Sequence, residues 1–276
     1  EKLIDQPPQD FLIFHSTRSD RLSHRPSLAI GRNLSQASSQ LDAQHDAHPM
    51  IRPRTLLVIS SCNEADATQE MLRSIEKLSD EFDVLVVDDH SEDSTASQVK
   101  KFGYQIIEKP EPKGLTHSWN LAYKLAVAAD AYDNVIFSNN DILVPEGVVD
   151  NLVRALEHHP IVVPMTSRLG AGHNPEQSLD RACNLREQVD VASSHPWNVD
   201  RIQRAVPVIC GAGAELAFPT SPRFGGFFFA MRLDAMRAFE YSNGVFFDPK
   251  NVLFGQENAL AELLEAAGLR IPISRR

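Results

Sequence analysis

The sequence predicts an α/β fold with a mostly parallel central sheet and helices on both faces, and three observations carry that prediction. Short apolar, β-branched runs recur from Thr55 onward. Segments with apolar residues at helical spacing lie between them. Each run stops at a cluster of Ser, Asn, Asp or Glu, as strands buried on both faces do where they reach solvent. Such alternation is what βαβ units produce.

Thr55–Ser61 (TLLVISS) reads as the first buried strand, and Ala67–Leu78 as a helix carrying Met71, Leu72, Ile75 and Leu78 on one face. Asp83–Val87 (DVLVV) is the second strand, Ser94–Phe102 a short helix and Gln105–Ile107 the third strand. Leu115–Ala129 is a longer helix with Leu121, Leu125 and Ala128 along one stripe. Asn134–Phe137 (NVIF) is the fourth strand, followed by a helix over Pro145–Glu157, where proline suits the first turn. Ile161–Val163 is a fifth strand. Thr166–Arg223 is long, polar and dotted with Gly170, Gly172, Gly211 and Gly213, so mobility and an acceptor-facing role are expected there, with Trp197 and Phe224 as flat apolar faces. The pattern resumes with the strand Gly226–Met231 (GFFFAM), the helix Leu233–Phe239 and a last helix, Glu257–Ala267, closed by Gly268.

Two regions follow. Residues 1–54 are expected to be a poorly ordered linker or stem, because Ser23–Met50 is rich in polar residues and has too little apolar surface to offset the entropy of ordering. Within it, only Phe11–Phe14 reads as a possible isolated strand. Residues 55–276 are the folded domain, expected to be truncated at its C-terminal side. Asp and Glu number 37 against 27 Lys and Arg, a net charge of −10, which argues against a nucleic-acid surface. Any polyanion must then be met locally, with a bound cation. Cys62, Cys183 and Cys210 are scattered and form neither a disulfide framework nor a C-x-x-C site, so a reducing, cytoplasmic setting is the simplest reading, with association at a membrane allowed. An anchor preceding Glu1 would instead place the chain in the Golgi lumen.

In an open α/β sheet, ligands bind beyond the carboxyl ends of the strands. The first strand is followed by Ser60, Ser61, Cys62, Asn63 and Glu64, the second by Asp88-Asp89-His90-Ser91-Glu92-Asp93-Ser94-Thr95, and the fourth by Asn139-Asn140-Asp141. Any one cluster is an ordinary turn or cap, and Asp93-Ser94-Thr95 alone is a good helix start. Three on one edge suit hydrogen bonding to a base and ribose, or a hard divalent ion held through oxygen. A receiver domain shares the double Asp, but it needs a lysine at a later strand end and none occurs between Lys124 and Lys250. A dinucleotide-binding glycine fingerprint, a phosphate-binding loop and an H-E-x-x-H zinc site are all missing from their required places.

The Asp88–Thr95 stretch resembles the V-D-D-x-S-x-D-x-T motif of family 2-like glycosyltransferases with the GT-A fold. Lys113-Gly114-Leu115-Thr116-His117-Ser118-Trp119-Asn120 is similar to their N-x-G-x-x-x-A-R-N segment, keeping Gly114 and Asn120. Asn139-Asn140-Asp141 takes the place of the D-x-D metal motif in a form similar to the rhamnosyltransferase-like branch. Gly225-Gly226-Phe227-Phe228-Phe229-Ala230-Met231-Arg232 resembles the glycine-aromatic strand beside the acceptor, and Phe254-Gly255-Gln256-Glu257-Asn258 the W-G-G-E-D or W-G-G-E-N motif. The resemblance runs from about Thr55 to Ile271. It implies a hexosyltransferase-type reaction, with a sugar moving from a UDP-, dTDP- or GDP-sugar to a glycan, lipid or protein hydroxyl.

In that reading Ser60, Asn63, Glu64, Asp88, Asp89, Ser91, Lys113, Gly114, Asn120, Asn139 and Asn140 bind the nucleotide sugar, and one strand-end Asp accepts the pyrimidine N–H. Asp141 holds Mn2+ or Mg2+, while Gly225, Gly226 and Phe227 face the acceptor. Glu257 and Asn258 stand at the catalytic position, and only Glu257 can take a proton. Asn139 replaces the first carboxylate of D-x-D, Asn258 replaces the usual catalytic Asp, and Leu260 stands where a further acid is common. These departures define the alternative, a sugar-nucleotide-binding protein of the same fold without turnover.

Overall fold

In β1 (Thr55–Ser61), alternate side chains point to opposite faces of a sheet, and every one of them is buried. That is the burial expected of a central strand, and the computed structural model places β1 between β2 (Asp83–Asp88) and β4 (Asn134–Asn139), parallel to both. The structure describes residues 53–76, 78, 82–166, 203–206, 220–221, 223–253 and 255–274. The expected linker up to residue 52, the isolated strand Phe11–Phe14, Cys183, Cys210, Trp197, the four glycines of the expected mobile region and Phe254 all lie outside the described residues.

The remaining strands are β3 (Gln105–Glu108), β5 (Ile142–Leu143), β6 (Ile161–Thr166), β7 (Gln203–Val206), β8 (Thr220–Ser221), β9 (Phe228–Arg232) and β10 (Ile271–Ser274). The helices are α1 (Ala65–Glu76), α2 (Thr95–Lys101), α3 (Leu115–Ala129), α4 (Val148–Leu156), α5 (Leu233–Ala238) and α6 (Gln256–Ala266). The sheet order is β3-β2-β1-β4-β9-β6-β10-β8, with β7 joining β5 to the flank of β6.

The two faces carry separate cores. Leu57, Ile59, Val84, Val86 and Ile136 meet Met71, Leu72 and Ile75 of α1, Val99 of α2 and Val148, Val149 and Leu152 of α4. On the other face, Trp119 of α3 packs its ring 5.5 Å from Phe137 and Phe229 and 5.2 Å from Phe247. The register therefore follows the period of two in each run, and helices cover both faces as expected.

The sheet is parallel across β3-β2-β1-β4, as expected, and becomes mixed where β9 runs antiparallel between β4 and β6; an apolar run buried on both faces carries no sign of its direction. Three features depart from the sequence reading. β7 and β8 fall inside the long polar stretch Thr166–Arg223, where the sequence pattern shows no strand, and β5 and β10 are likewise absent from that pattern. The fourth helix begins at Val148 rather than Pro145: Gly147, at φ 81°, is its N-cap, and Pro145 only accepts the Val148 amide at 3.3 Å. Finally, α1 begins at Ala65, two residues before the expected start at Ala67 and well ahead of its apolar stripe.

Candidate active site

Parallel pairing aligns the ends of β1, β2 and β4, so Ser60 sits opposite Val87 on one side and Asn139 on the other. The polar clusters that follow these strands open onto one cleft of about 740 Å³. Ser60, Ser61, Cys62, Glu64, Asp66, Ala67, Asp89, Leu115, Ser118, Asn139, Asn140, Asp141 and Leu253 line it. This volume is within the range of small-molecule sites.

Local hydrogen bonding shapes the walls. Asn63 and Glu64 both adopt left-handed φ, 59° and 62°. Such backbone is unfavourable for non-glycine residues and persists only where neighbours hold it. Here Ser91 Oγ accepts the Asn63 amide at 2.7 Å, Asn63 Oδ1 accepts the Glu92 amide at 2.9 Å, and Asn140 Nδ2 donates to the Asn63 carbonyl at 3.2 Å and to Thr68 Oγ1 at 2.8 Å. Asp88, 2% exposed, accepts Ser61 Oγ at 2.9 Å, Ser91 N at 3.0 Å and Ser91 Oγ at 2.5 Å. Asn63, Asp88, Ser91 and Asn140 thus build the turn between the β1 and β2 ends, and the Asp88 carboxylate is directed into protein.

Asp89 is engaged as fully. It accepts the Lys113 and Gly114 amides, each at 2.7 Å, and its Oδ1 lies 2.5 Å from Lys109 Nζ. Burial pushes its carboxyl up, but the Lys109 ammonium and the two amides together hold it below the ordinary carboxylate range. Burial also pulls the Lys109 ammonium below its usual value, against the pull of Asp89 in the other direction. Lys113 reaches Asp89 through its backbone, while its side chain pairs with Glu111 at 3.3 Å. Gly114 has φ 82°, and a Cβ there would stand 2.6 Å from Val252 Cγ1. Only glycine satisfies both constraints.

Two expected site residues are corrected by their surroundings. Asn120 donates to the Phe247 carbonyl at 2.9 Å and accepts the amides of Phe246 and Phe247 at 3.1 and 2.8 Å. Its amide braces that segment against α3, which removes it from the expected donor-binding set. Phe227, 4% exposed, belongs to the core under α1 and α4, so it does not face an acceptor.

Two polar atoms in the cleft stand out. Ser60 Oγ, on a residue 7% exposed, and Asp141 Oδ1 are both buried without a hydrogen-bond partner among the described residues. Buried polar atoms are normally satisfied, so orphans in a cleft mark where a ligand supplies the missing contacts. Burial, followed by the nearby Glu64, pushes the Asp141 carboxyl above its usual range; only its own backbone amide opposes them. An unpaired carboxylate oxygen beside a second carboxylate suits a hard cation with oxygen preference. Among the described residues, no group of three or more His, Cys, Asp or Glu could hold a metal unaided. The protein's charged share would be Asp141, with a ligand's phosphates and water completing the shell.

Glu257 and Asn258 open α6 after Gly255, the N-cap at φ 89°. A Cβ on Gly226 would lie 3.2 Å from Glu257 Cβ and 3.3 Å from its Oε2, so the Glu257 side chain rests against Gly226, next to Gly225. Asn258 is exposed, and its carbonyl accepts from Arg223 at 3.1 Å. Gln256 is buried: its Nε2 donates to Thr116 Oγ1 at 2.6 Å and to the Asn251 carbonyl at 3.1 Å, tying the start of α6 to the start of α3. Sequence reasoning missed Lys109 and Leu253, and it placed Cys62 and Gln256 within motifs without giving either a role. Lys109 had a signal, since it follows β3 just as the polar clusters follow the other strands.

Residues 56–232 match the family model described as glycosyl transferase family 2. A mannosyltransferase from Pyrobaculum calidifontis, solved with GDP-Man and Mn2+, superposes with a TM-score of 0.51 at 20% identity over 82% of this chain and 56% of its own. TarS from S. aureus superposes with a TM-score of 0.51 at 14% identity over 81% of this chain and 58% of its own. The chain therefore spans less than two thirds of the length of either structure. No curated protein sequence matches it.

Proposed function

The chain belongs to glycosyl transferase family 2 and has the GT-A fold, and from that premise we propose that it moves a hexose from a nucleotide-diphosphate donor to an acceptor hydroxyl with help from Mn2+ or Mg2+. The observation that carries the reading is the cleft at the strand ends, which holds two buried, unpartnered polar atoms, Ser60 Oγ and Asp141 Oδ1. The donor is a UDP-, dTDP- or GDP-sugar, and the N-N-D form at Asn139–Asp141 supports a kinship with the rhamnosyltransferase-like branch. GDP-Man and Mn2+ in the Pyrobaculum calidifontis enzyme support that donor class.

The roles divide by position. Ser60, Glu64 and Asn139 line the donor cleft, whose wall Asn63, Asp88, Asp89, Ser91, Lys113, Gly114 and Asn140 hold in shape. A divalent cation at Asp141 would offset the charge that grows on the departing diphosphate. Glu257 takes the proton of the attacking hydroxyl as the new glycosidic bond forms and the bond to the diphosphate breaks. Gly226 lets Glu257 lie close to β9, and with Gly225 it borders the acceptor, which is a glycan, lipid or protein hydroxyl. The scattered cysteines favour the cytoplasm or a membrane surface facing it.

A second reading, nucleotide-sugar binding without turnover, is favoured by Asn258, which is exposed and cannot accept a proton. Incubation with labelled nucleotide sugars and Mn2+ separates the two, because an enzyme shows at least slow donor hydrolysis. Calorimetry then tests the cation: Asp141→Ala should abolish metal-dependent nucleotide binding, and Asn139→Asp should strengthen it. Equal binding of UDP and dTDP with and without Mn2+ would sink the metal assignment.

A further inference from the structure

Lys109 is 4% exposed and lies one residue past β3, with its amide donating to the Asp88 carbonyl at 3.0 Å. Its Nζ reaches Asp89 Oδ1 at 2.5 Å and donates to the Gly114 carbonyl at 3.2 Å. Asp89 in turn accepts the Gly114 amide at 2.7 Å, so the pair grips Gly114 at both its amide and its carbonyl. Gly114 is the N-cap of α3, whose Leu115 and Ser118 line the cleft together with Asp89 itself.

Stability alone is a poor explanation for this arrangement. Taking two charges out of water costs about as much as their attraction returns, and well-packed apolar side chains often do as well or better. Charges accomplish what apolar packing cannot: they fix the orientation of one peptide group. We propose that Lys109 is a positioning residue of the cleft, fixing through Asp89 the Lys113–Gly114 peptide and the first turn of α3 against a bound nucleoside diphosphate. The identity of that ligand rests on the donor-site reading above; the geometry of the grip does not.

The charged and titratable groups facing this pair are Cys62 just past β1, Lys113, and His117 on α3, while Asp88 at the end of β2 and Asp93 beyond it act on Cys62. Cys62 is exposed and donates to the Asp89 carbonyl at 3.5 Å, which makes it a reporter. Burial first, then the charges of Asp89 and Asp88, push its thiol up, while Lys109 pulls it down. Removing the lysine should therefore disfavour the thiolate further, and the thiolate is the species that alkylating reagents attack.

The test uses the full chain, with UDP and GDP plus Mn2+ as probes in calorimetry and iodoacetamide alkylation of Cys62 read by peptide mass spectrometry. In Lys109→Met, alkylation at pH 8 should slow several-fold, and affinity for the nucleotide that the parent binds should fall about tenfold or more. Lys109→Met leaves Asp89 buried without its cation and can fail to fold, so the double variant Lys109→Met/Asp89→Asn accompanies it. With both charges gone, alkylation should return at least to the parent rate. Affinity should stay low, because one amide oxygen cannot replace two carboxylate oxygens on the Lys113 and Gly114 amides. If the parent binds nucleotide and a folded double variant binds equally well, the inference falls alone. If the parent binds neither nucleotide, the donor-site reading fails and the inference falls with it.

Discussion

Asp93 shows how one side chain can set two elements. Its Oδ2 accepts the amide of Ala65, the first residue of α1, at 3.0 Å, and its Oδ1 accepts the amide of Thr95, the first residue of α2, at 2.9 Å. Ser94 occupies the N-cap of α2 but makes no side-chain cap bond. Burial pushes the Asp93 carboxyl up, yet the Thr95 hydroxyl and amide and the Ala65 amide outweigh it and hold it below the ordinary carboxylate range. A carboxylate depressed in the folded state contributes stability that is complete above its unfolded pKa and is lost as pH falls through the folded value. Asp93→Ala should therefore cost about 1–2 kcal/mol in urea denaturation at pH 7. The gap to the parent should close at pH below the usual carboxylate range, and a gap independent of pH would assign Asp93 a purely steric role. The sequence made Asp93 legible as a cap for α2. It could not reveal the bond to Ala65, 28 residues earlier, and that bond explains why α1 begins before its apolar stripe. The same limit applies to Lys109 and Asn120. A single lysine after a strand resembles a surface residue, and a motif-like asparagine does not announce that backbone amides will occupy it.

At the scale of elements, the order of strands and helices was largely legible because period two and period 3.6 are hard to confuse over long runs. β1 and α3 fall where the pattern puts them. What escaped was pairing: β9 is apolar on both faces, and its antiparallel place between β4 and β6 depends on where the intervening chain delivers it. That placement matters for function, since the residues leading into β9 bring Gly226 against the first turn of α6. A Cβ at residue 226 would sit 3.2 Å from Glu257 Cβ, closer than ordinary contact, so Glu257 would have to shift by a few tenths of an ångström. Catalytic groups tolerate little misplacement. Gly226→Ala should keep the fold and the donor affinity while lowering kcat for transfer by roughly 10- to 100-fold. A variant that transfers sugar at the parent rate would show that Glu257 either accommodates the methyl group or does not act on the acceptor.

For the whole molecule, the proposed function raises the question of how a chain with net charge −10 would hold a doubly charged diphosphate. The unpartnered Asp141 oxygen beside Glu64 makes the cleft still less hospitable to an anion on its own. A cation reverses that sign, so nucleotide and metal should bind as one unit. A ligand that binds only the folded state stabilises it by about 2.7 kcal/mol at a hundred times its dissociation constant. For a domain of this size, that raises the melting temperature by roughly 5–10 °C. UDP or GDP together with Mn2+ should produce that rise, and neither should produce most of it alone. Glu257 is not among the residues that line the cleft and lies against Gly226, so it is expected to stand outside this linkage. Glu257→Gln preserves shape and hydrogen bonding but removes basicity, so it should show the same rise in melting temperature and lose transfer by about 10²–10⁴-fold. If the variant also loses the rise, Glu257 is a binding group for the donor. If it keeps the parent's transfer rate, it is a helix-start carboxylate stabilised by the α6 dipole, and the proton goes elsewhere. Asn258→Asp completes the test. Activity that appears only in that variant would identify the parent as a binding protein whose cleft and cation site outlasted its chemistry.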